Sequence, residues 1–412
     1  MYLQPAFVDG GKTLFRAGIY IGWVGYLNLG DEAIYDLCRN RYPAVSWSLF
    51  DTLAYTAKPG RFLHRSTRDF NHFVAQLLEE IATQRRLRSY ARKATHRLIR
   101  LMGSEIGLCG GGTFINRNDE ALRMYMQLRR RTGRPVPTFG TGVAFSDFWK
   151  EREFDWMDRR KEWVAALEEL PVVGVRGPLS KAQLDDAGAR NVVVCADPAV
   201  LFHASYVTKS ERERRDGPLR VGINAGDCSG RLFGRQEGVQ DALVSAARWL
   251  RNEGHQVEII PVWINDVEAC VDVARRADLD RSVVTPVCYS PSAFLSRVEN
   301  LDLFVSLKLH AGILAAAANV PFVSLEYRPK CRDFASTLEW EDSLIRTDQL
   351  GKGALIDRIS ALIPQLDKKR TDLCERMCCL MNRFENYCRT IKPLLLEPGS
   401  ECALADQLPD TR

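Results

Sequence analysis

The sequence predicts an α/β protein: two doubly wound, Rossmann-like domains facing a cleft, closed by C-terminal helices. Three observations predict it. Short apolar runs alternate with amphipathic stretches, the pattern of parallel strands joined by crossover helices. The alternation occurs twice, on either side of the charged break Lys209-Ser-Glu-Arg-Glu-Arg-Arg-Asp-Gly-Pro218. Glycines and charged residues gather just after the apolar runs, at the strand ends where open α/β sheets bind ligands.

In the first set the strand candidates are Gly18–Gly22, Ala44–Phe50, Ile106–Cys109, Val136–Thr138, Val172–Val175 and Val192–Cys195. The second set runs Arg220–Asn224, Gln256–Pro261, Ser282–Val284, Leu303–Leu307 and Phe322–Leu325. A short Ala-rich helix fits between the last two. Residues 354–396 read as helical, and the polar tail 397–412 as loose. The expected units are therefore 1–210, with an insertion at about 61–100, and 211–353, with the helices and tail after them.

At 412 residues the chain exceeds one typical core and suits two. Its 46% hydrophobic and 26% charged residues are ordinary for a globular protein. A net charge of +5 is modest for this length and gives no argument for nucleic acid. The N-terminus lacks a basic region followed by an unbroken apolar run, so no secretory leader is expected. Twelve scattered cysteines, several in strands, suit buried small hydrophobes in the reducing cytoplasm. Cys374, Cys378, Cys379 and Cys388 cluster on one helix without a CxxC pair or a nearby His, so no metal is expected. Residues 309–325 are mostly apolar, but Asn319-Val-Pro321 interrupts them, and a membrane span needs about 20 unbroken residues.

The insertion is basic. Between Arg61 and Arg100 there are ten Lys/Arg against three Asp/Glu. Leu87, Tyr90, Ala91, Ala94, Leu98 and Leu101 recur at helical spacing within it. Such a helix either packs on the first domain with a solvated face or lies on anionic lipid at the inner face of the membrane. Base-stacking aromatics are sparse, which argues against nucleic acid.

Four motifs carry candidate chemistry. After the first strand, Asn28-Leu-Gly30-Asp31-Glu32 opens a helix near Asp31. Asp31 reads either as the helix cap or as the acceptor of a substrate hydroxyl. The glycine spacing there does not fit a dinucleotide fingerprint. Cys109-Gly110-Gly111-Gly112-Thr113 and Phe139-Gly140-Thr141-Gly142 follow two buried strands, and their glycines leave room for a ligand or for another backbone. Val175-Arg176 ends a strand in an arginine able to hold a carboxylate or phosphate bidentately, or to make an ion pair. Asp197-Pro198 follows the next strand and reads as a loop-fixing pair. The fourth motif is Lys308-Leu-His310, with Tyr327 and Lys330 one strand later. It places cations and a proton carrier at a strand end and a helix N-terminus, a setting for a small anion.

Taken in order, these blocks resemble the polysaccharide pyruvyl transferase family over about residues 18–335. Gly222-Ile-Asn224 and Tyr327-Arg-Pro-Lys330 complete the series. The resemblance implies a GT-B-like fold, phosphoenolpyruvate as donor substrate with no further cofactor, and a pyruvate ketal on a glycan or lipid-linked oligosaccharide as product. It implies that Arg176, Lys308 and Lys330 hold the donor and that His310 moves a proton. Asn28 and Asp31 would orient the acceptor diol, with Tyr327, Gly111, Gly112, Thr113 and Gly142 lining the site. The family usually has Arg-Leu-His where this chain has Lys308-Leu-His310, which keeps the charge but loses the planar fork. A nucleotide-sugar glycosyltransferase and a non-catalytic glycan- or anion-binding relative stay open beside this reading.

Overall fold

The computed structural model describes residues 16–22, 24, 28–50, 106–116, 119–145, 148, 159–206, 217–288, 290–351 and 353–396. The basic segment 61–100 and the tail 397–412 lie outside them.

Among the described residues the strands form two parallel sheets and a two-stranded extension of the first. In the first, β1 (Arg16–Ile21) lies between β2 (Val45–Phe50) and β3 (Ile106–Gly110), and β4 (Thr138–Phe139) lies outside β3. A bridge from Thr141 to Val175 attaches the pair β5 (Val173–Val175) and β6 (Val192–Val194). The second sheet has β7 (Arg220–Asn224) between β8 (Gln256–Ile259) and β9 (Leu303–Ser306). Beyond β9 come β10 (Phe322–Glu326) and β11 (Leu344–Arg346). Strands β3, β9 and β10 are buried along their whole length, which is why they read as continuous apolar runs.

Each sheet reverses its strand order beside its first strand: between β1 and β3, and between β7 and β9. Such switch points open a crevice at the carboxyl ends of the strands. The segments that leave β1, β3 and β9 carry Asn28 to Asp31, Gly111 to Thr113 and Lys308 to His310, while Arg176 follows β5 and Lys330 follows β10.

The two halves meet at this edge. Helix α1 (Leu29–Arg41) starts against the second half: Leu29 N–H donates to Val262 O at 3.2 Å, and Asn28 bridges Trp263. Asp333, in the helix Pro329–Leu338, accepts from the backbone N–H of Leu179 (2.9 Å) and Ser180 (3.2 Å). It thereby supplies, from the other half, the cap that Gly177 cannot give the helix Pro178–Asp186. The last helix, Leu366–Leu396, returns to the first sheet. There Tyr387 donates its hydroxyl to Thr138 O (2.7 Å) and accepts from Gly174 N–H (3.1 Å), while Phe384 packs edge-on against Phe139.

Four expectations are corrected. The strand expected at Val136–Thr138 pairs only from Thr138, because Pro137 has no N–H to donate to the ladder. Ser282–Val284 is not a strand: Arg281–Val283 forms a 3-10 turn capped by Asp280, and Val284 makes one isolated bridge to Ile259. Strand β11 was not expected, since three residues ending in arginine give no alternating pattern. Helix α1 begins two residues before Asp31. No helix among the described residues is long and apolar enough to cross a membrane. The helix Leu309–Ala317 is buried on nearly all sides and belongs to the core.

Candidate active site

The cap of α1 is not Asp31. Asn28 is the cap, its carboxamide oxygen accepting from Gly30 N–H at 3.1 Å. Asn28 is therefore occupied by the backbone, and Asp31 stands in the first helical turn, half-buried and facing the other half. Burial raises its carboxyl above the ordinary range, against the opposing charges of His310, Lys330 and Arg176.

His310 lies in the first turn of the helix Leu309–Ala317 and is held from both sides. Its Nε2 is 3.6 Å from Asp197 Oδ2. The Gly30 backbone lies against the other edge of the ring, so close that a Cβ there would fall 1.9 Å from Nδ1. Gly30 is thus required for a close approach between the halves. It leaves Nδ1 turned toward the start of α1.

Beneath His310, Asp197 pairs with Arg176. Arg176 Nε is 2.7 Å from Asp197 Oδ2, and both side chains are about fully buried, at 1% and 0% exposure. Burial alone would raise the Asp197 carboxyl, but Arg176 and His310 outweigh it and hold it at about 2. The loop is strained to make this pairing: Ala196 takes a φ of 79° just before Asp197. Gly140, at φ 62°, makes room below, since a Cβ there would lie 2.8 Å from Ala196 O. Asp197 fixes its loop as expected, its Oδ1 accepting from Ala199 N–H at 3.0 Å, and its Oδ2 also faces both charged partners. Arg176 is spent on this pair and on Gly112 O at 3.2 Å, although its Nη1 has no hydrogen-bond partner.

Lys330 completes the cluster from the start of the helix after β10. Burial, then the charges of Arg328 and Arg176, push its ammonium down to about 7. Its Nζ lies 5.2 Å from the centre of the Tyr327 ring, which serves as a face for the cation. Tyr327 is itself buried, so its phenol is pushed well above its ordinary range.

Lys308 turns elsewhere. Its Nζ donates to Asp227 O at 2.5 Å and lies 3.3 Å from Asp266 Oδ1, beside the Trp263 ring. Its backbone N–H donates to Asn224, a buried residue at the end of β7. Burial raises the Asp266 carboxyl to about 6 despite Lys308. The structure thus brings Asp31, Arg176, His310 and Lys330 together and places Lys308 in a neighbouring subsite with Asp266. Asp266 gave no signal in the sequence beyond its place after β8. Gly111 lies beside Asp31, a Cβ there falling 3.6 Å from its Oδ1, whereas Gly112 faces open space. Gly142 N–H donates to Gly112 O at 3.0 Å, and half-buried Thr113 borders the same loop.

A buried cation–carboxylate pair, an imidazole fixed on one side, a raised carboxyl and a near-neutral lysine meet among three helix N-termini. The arrangement can hold an anion and move protons between it and a neighbouring hydroxyl.

The family model for polysaccharide pyruvyl transferase matches residues 26–329. No curated protein matches the chain by sequence. Similar solved structures include α,α-trehalose 6-phosphate synthase from Burkholderia multivorans (12% identity, 92% of this chain and 97% of that one, TM-score 0.51). Another is MnaA from S. aureus with UDP (11%, 94% and 99%, TM-score 0.52). A third is HepE from Anabaena in complex with UDP and glucose (12%, 92% and 99%, TM-score 0.52). At these identities the likeness shows the fold, the two-domain Rossmann-like arrangement of GT-B glycosyltransferases and epimerases. Since the family model spans most of the sequence, the chain belongs to the polysaccharide pyruvyl transferase family.

Proposed function

We propose that the protein moves the pyruvyl group of phosphoenolpyruvate onto a sugar diol of a cell-surface glycan, forming a ketal. The observation that carries this reading is the meeting of Asp31 from one half with His310 and Lys330 from the other. That is where a donor anion and an acceptor hydroxyl would have to meet. In the first step an acceptor oxygen bonds to C2 of the donor, its proton leaves, and C3 gains a proton to become methyl. In the second, a neighbouring hydroxyl oxygen bonds to C2 as the C2–O bond to phosphate breaks, and inorganic phosphate departs.

In this reading Lys330 and the amides opening the helix at Leu309 hold the donor's charge. Asp31, whose burial makes it the stronger base, orients the diol and takes its proton. His310 protonates C3 or relieves the second hydroxyl. The Arg176–Asp197 pair keeps Asp197 ionised so that it can fix the imidazole. Lys308, bonded to Asp266 and Asp227, borders the donor side and is not the principal donor contact. The acceptor is a glycan or lipid-linked oligosaccharide on the cytoplasmic side, and the basic segment 61–100 would bring the protein to anionic membrane.

Calorimetric titration of phosphoenolpyruvate, with and without a pyruvylatable disaccharide, tests the donor. Saturable binding is expected, with a marked pH dependence. The free Lys330 is an ammonium below about 7 and neutral above it. A dianion selects the charged form, so affinity falls by up to about tenfold per pH unit above about 7. Lys330→Met weakens binding and removes that slope. Turnover with a sugar nucleotide and none with phosphoenolpyruvate would replace this reading with glycosyl transfer.

A further inference from the structure

A second constellation lies away from the cleft. His203 is in the 3-10 segment Pro198–Ser205, and Cys374 and Cys378 sit one turn apart on the helix Leu366–Leu396. His203 Nε2 lies 3.5 Å from Cys378 Sγ and 3.8 Å from Cys374 Sγ, and the three donor atoms all fall within 4.8 Å of one another. The expectation that no His comes near these cysteines is therefore corrected. His203 stands 171 and 175 residues away in the chain, beyond the reach of any spacing rule.

The tautomer of His203 follows from its other contact. Nδ1 lies 3.0 Å from Ala317 O, and a carbonyl only accepts, so Nδ1 carries the proton. Nε2 is left with one lone pair, and two sulfurs approach it. A cation shared by all three atoms would engage that lone pair and both sulfurs at once. An imidazole oriented through a backbone carbonyl on its far nitrogen is also the usual support for a metal-bound histidine. Tetrahedral zinc, with Zn–S near 2.3 Å and Zn–N near 2.05 Å, places its sulfur and nitrogen ligands about 3.5 Å apart. The observed separations match that edge.

We propose that His203, Cys374 and Cys378 bind Zn²⁺, with a fourth position open to solvent on the half-buried side of the helix. Both thiols give up their protons on binding, so affinity rises with pH. The ion joins three elements. One is the segment that follows Asp197. The second is the end of the helix that carries His310, through Ala317 O. The third is the C-terminal helix. It is a structural clamp six residues downstream of His310's partner carboxylate, not a participant in the transfer.

The test uses the full chain, reduced and stripped with a chelator, then titrated with Co²⁺ and with Zn²⁺. One equivalent of Co²⁺ should produce a thiolate-to-metal charge-transfer band in the near ultraviolet, bleached by Zn²⁺, and Zn²⁺ should raise the thermal midpoint. Cys374→Ser and Cys378→Ser, both at half-exposed positions, should each weaken Zn²⁺ by more than about 100-fold, beyond what loss of an outer partner causes. They should also abolish the thermal shift. Exposed Cys379→Ser should leave band, affinity and shift unchanged. The proposal is overturned if the wild type shows no charge-transfer band, or if either ligand variant keeps the band at full intensity with one equivalent of Co²⁺. Equal loss in Cys379→Ser overturns it as well.

Discussion

His310→Ala should lower turnover by about 10²- to 10⁴-fold, the usual contribution of a positioned acid or base, with the fold intact. His310 is 12% exposed by its side chain, and without it Asp197 keeps Arg176 as its partner, so the loss should be chemical. Gly30→Ala provides the complementary result. Its methyl group would occupy the place of the imidazole, so His310 or the start of α1 must move. Turnover should fall by about 10²-fold, as misplacement of reacting groups by an ångström costs, while phosphoenolpyruvate still binds. Product release measured by phosphate assay, beside calorimetric donor affinity, separates the two effects. Retention of more than about a tenth of wild-type turnover in His310→Ala would remove His310 from the chemistry.

Arg176→Ala should be the most destabilising single change in the site, by about 3–5 kcal/mol in denaturant unfolding. It leaves the Asp197 carboxylate buried with no full countercharge. The double variant Arg176→Met/Asp197→Leu should recover most of that loss, because two apolar side chains need no desolvated charge. Recovery would show that the stranded charge, not the lost packing volume, sets the cost. The pH dependence has a definite sign. Asp197 is lowered in the folded protein from 3.8 to about 2, so it contributes stability above pH 3.8. That contribution is lost as pH falls toward 2. In Arg176→Ala the carboxyl no longer resists protonation, so acid should narrow the gap between variant and wild type.

How far the sequence reaches depends on range. Strands buried on both faces, such as Leu303–Ser306 and Phe322–Glu326, show themselves as apolar runs and were placed to within a residue. Three-residue Leu344–Arg346 carries too little pattern to be seen. Asp31, Arg176, His310 and Lys330 were legible because each follows a strand end, where chain order predicts the cleft. Their partners were less so. Nothing near Lys308 announces that Asp266, on the loop after β8, will take its charge. Nothing near Asn28 says that its side chain will be spent on Gly30 N–H. Local spacing locates a residue on an edge, but which neighbour it meets there is decided by packing between elements distant in the chain.

The return of the last helix to the first sheet bears on how the protein is made. Thr138 and Gly174 belong to strands or strand neighbours that leave the ribosome early, yet their hydrogen-bond partner is Tyr387, separated from them by 249 and 213 residues. Domains generally fold from the N-terminus as they emerge. Here the earlier half must wait, its polar seam and the face of Phe139 uncovered, until the segment carrying Phe384 and Tyr387 has been released. Order of synthesis and order of completion run in opposite directions, and the nascent first half is the stage at which a chaperone has something to hold.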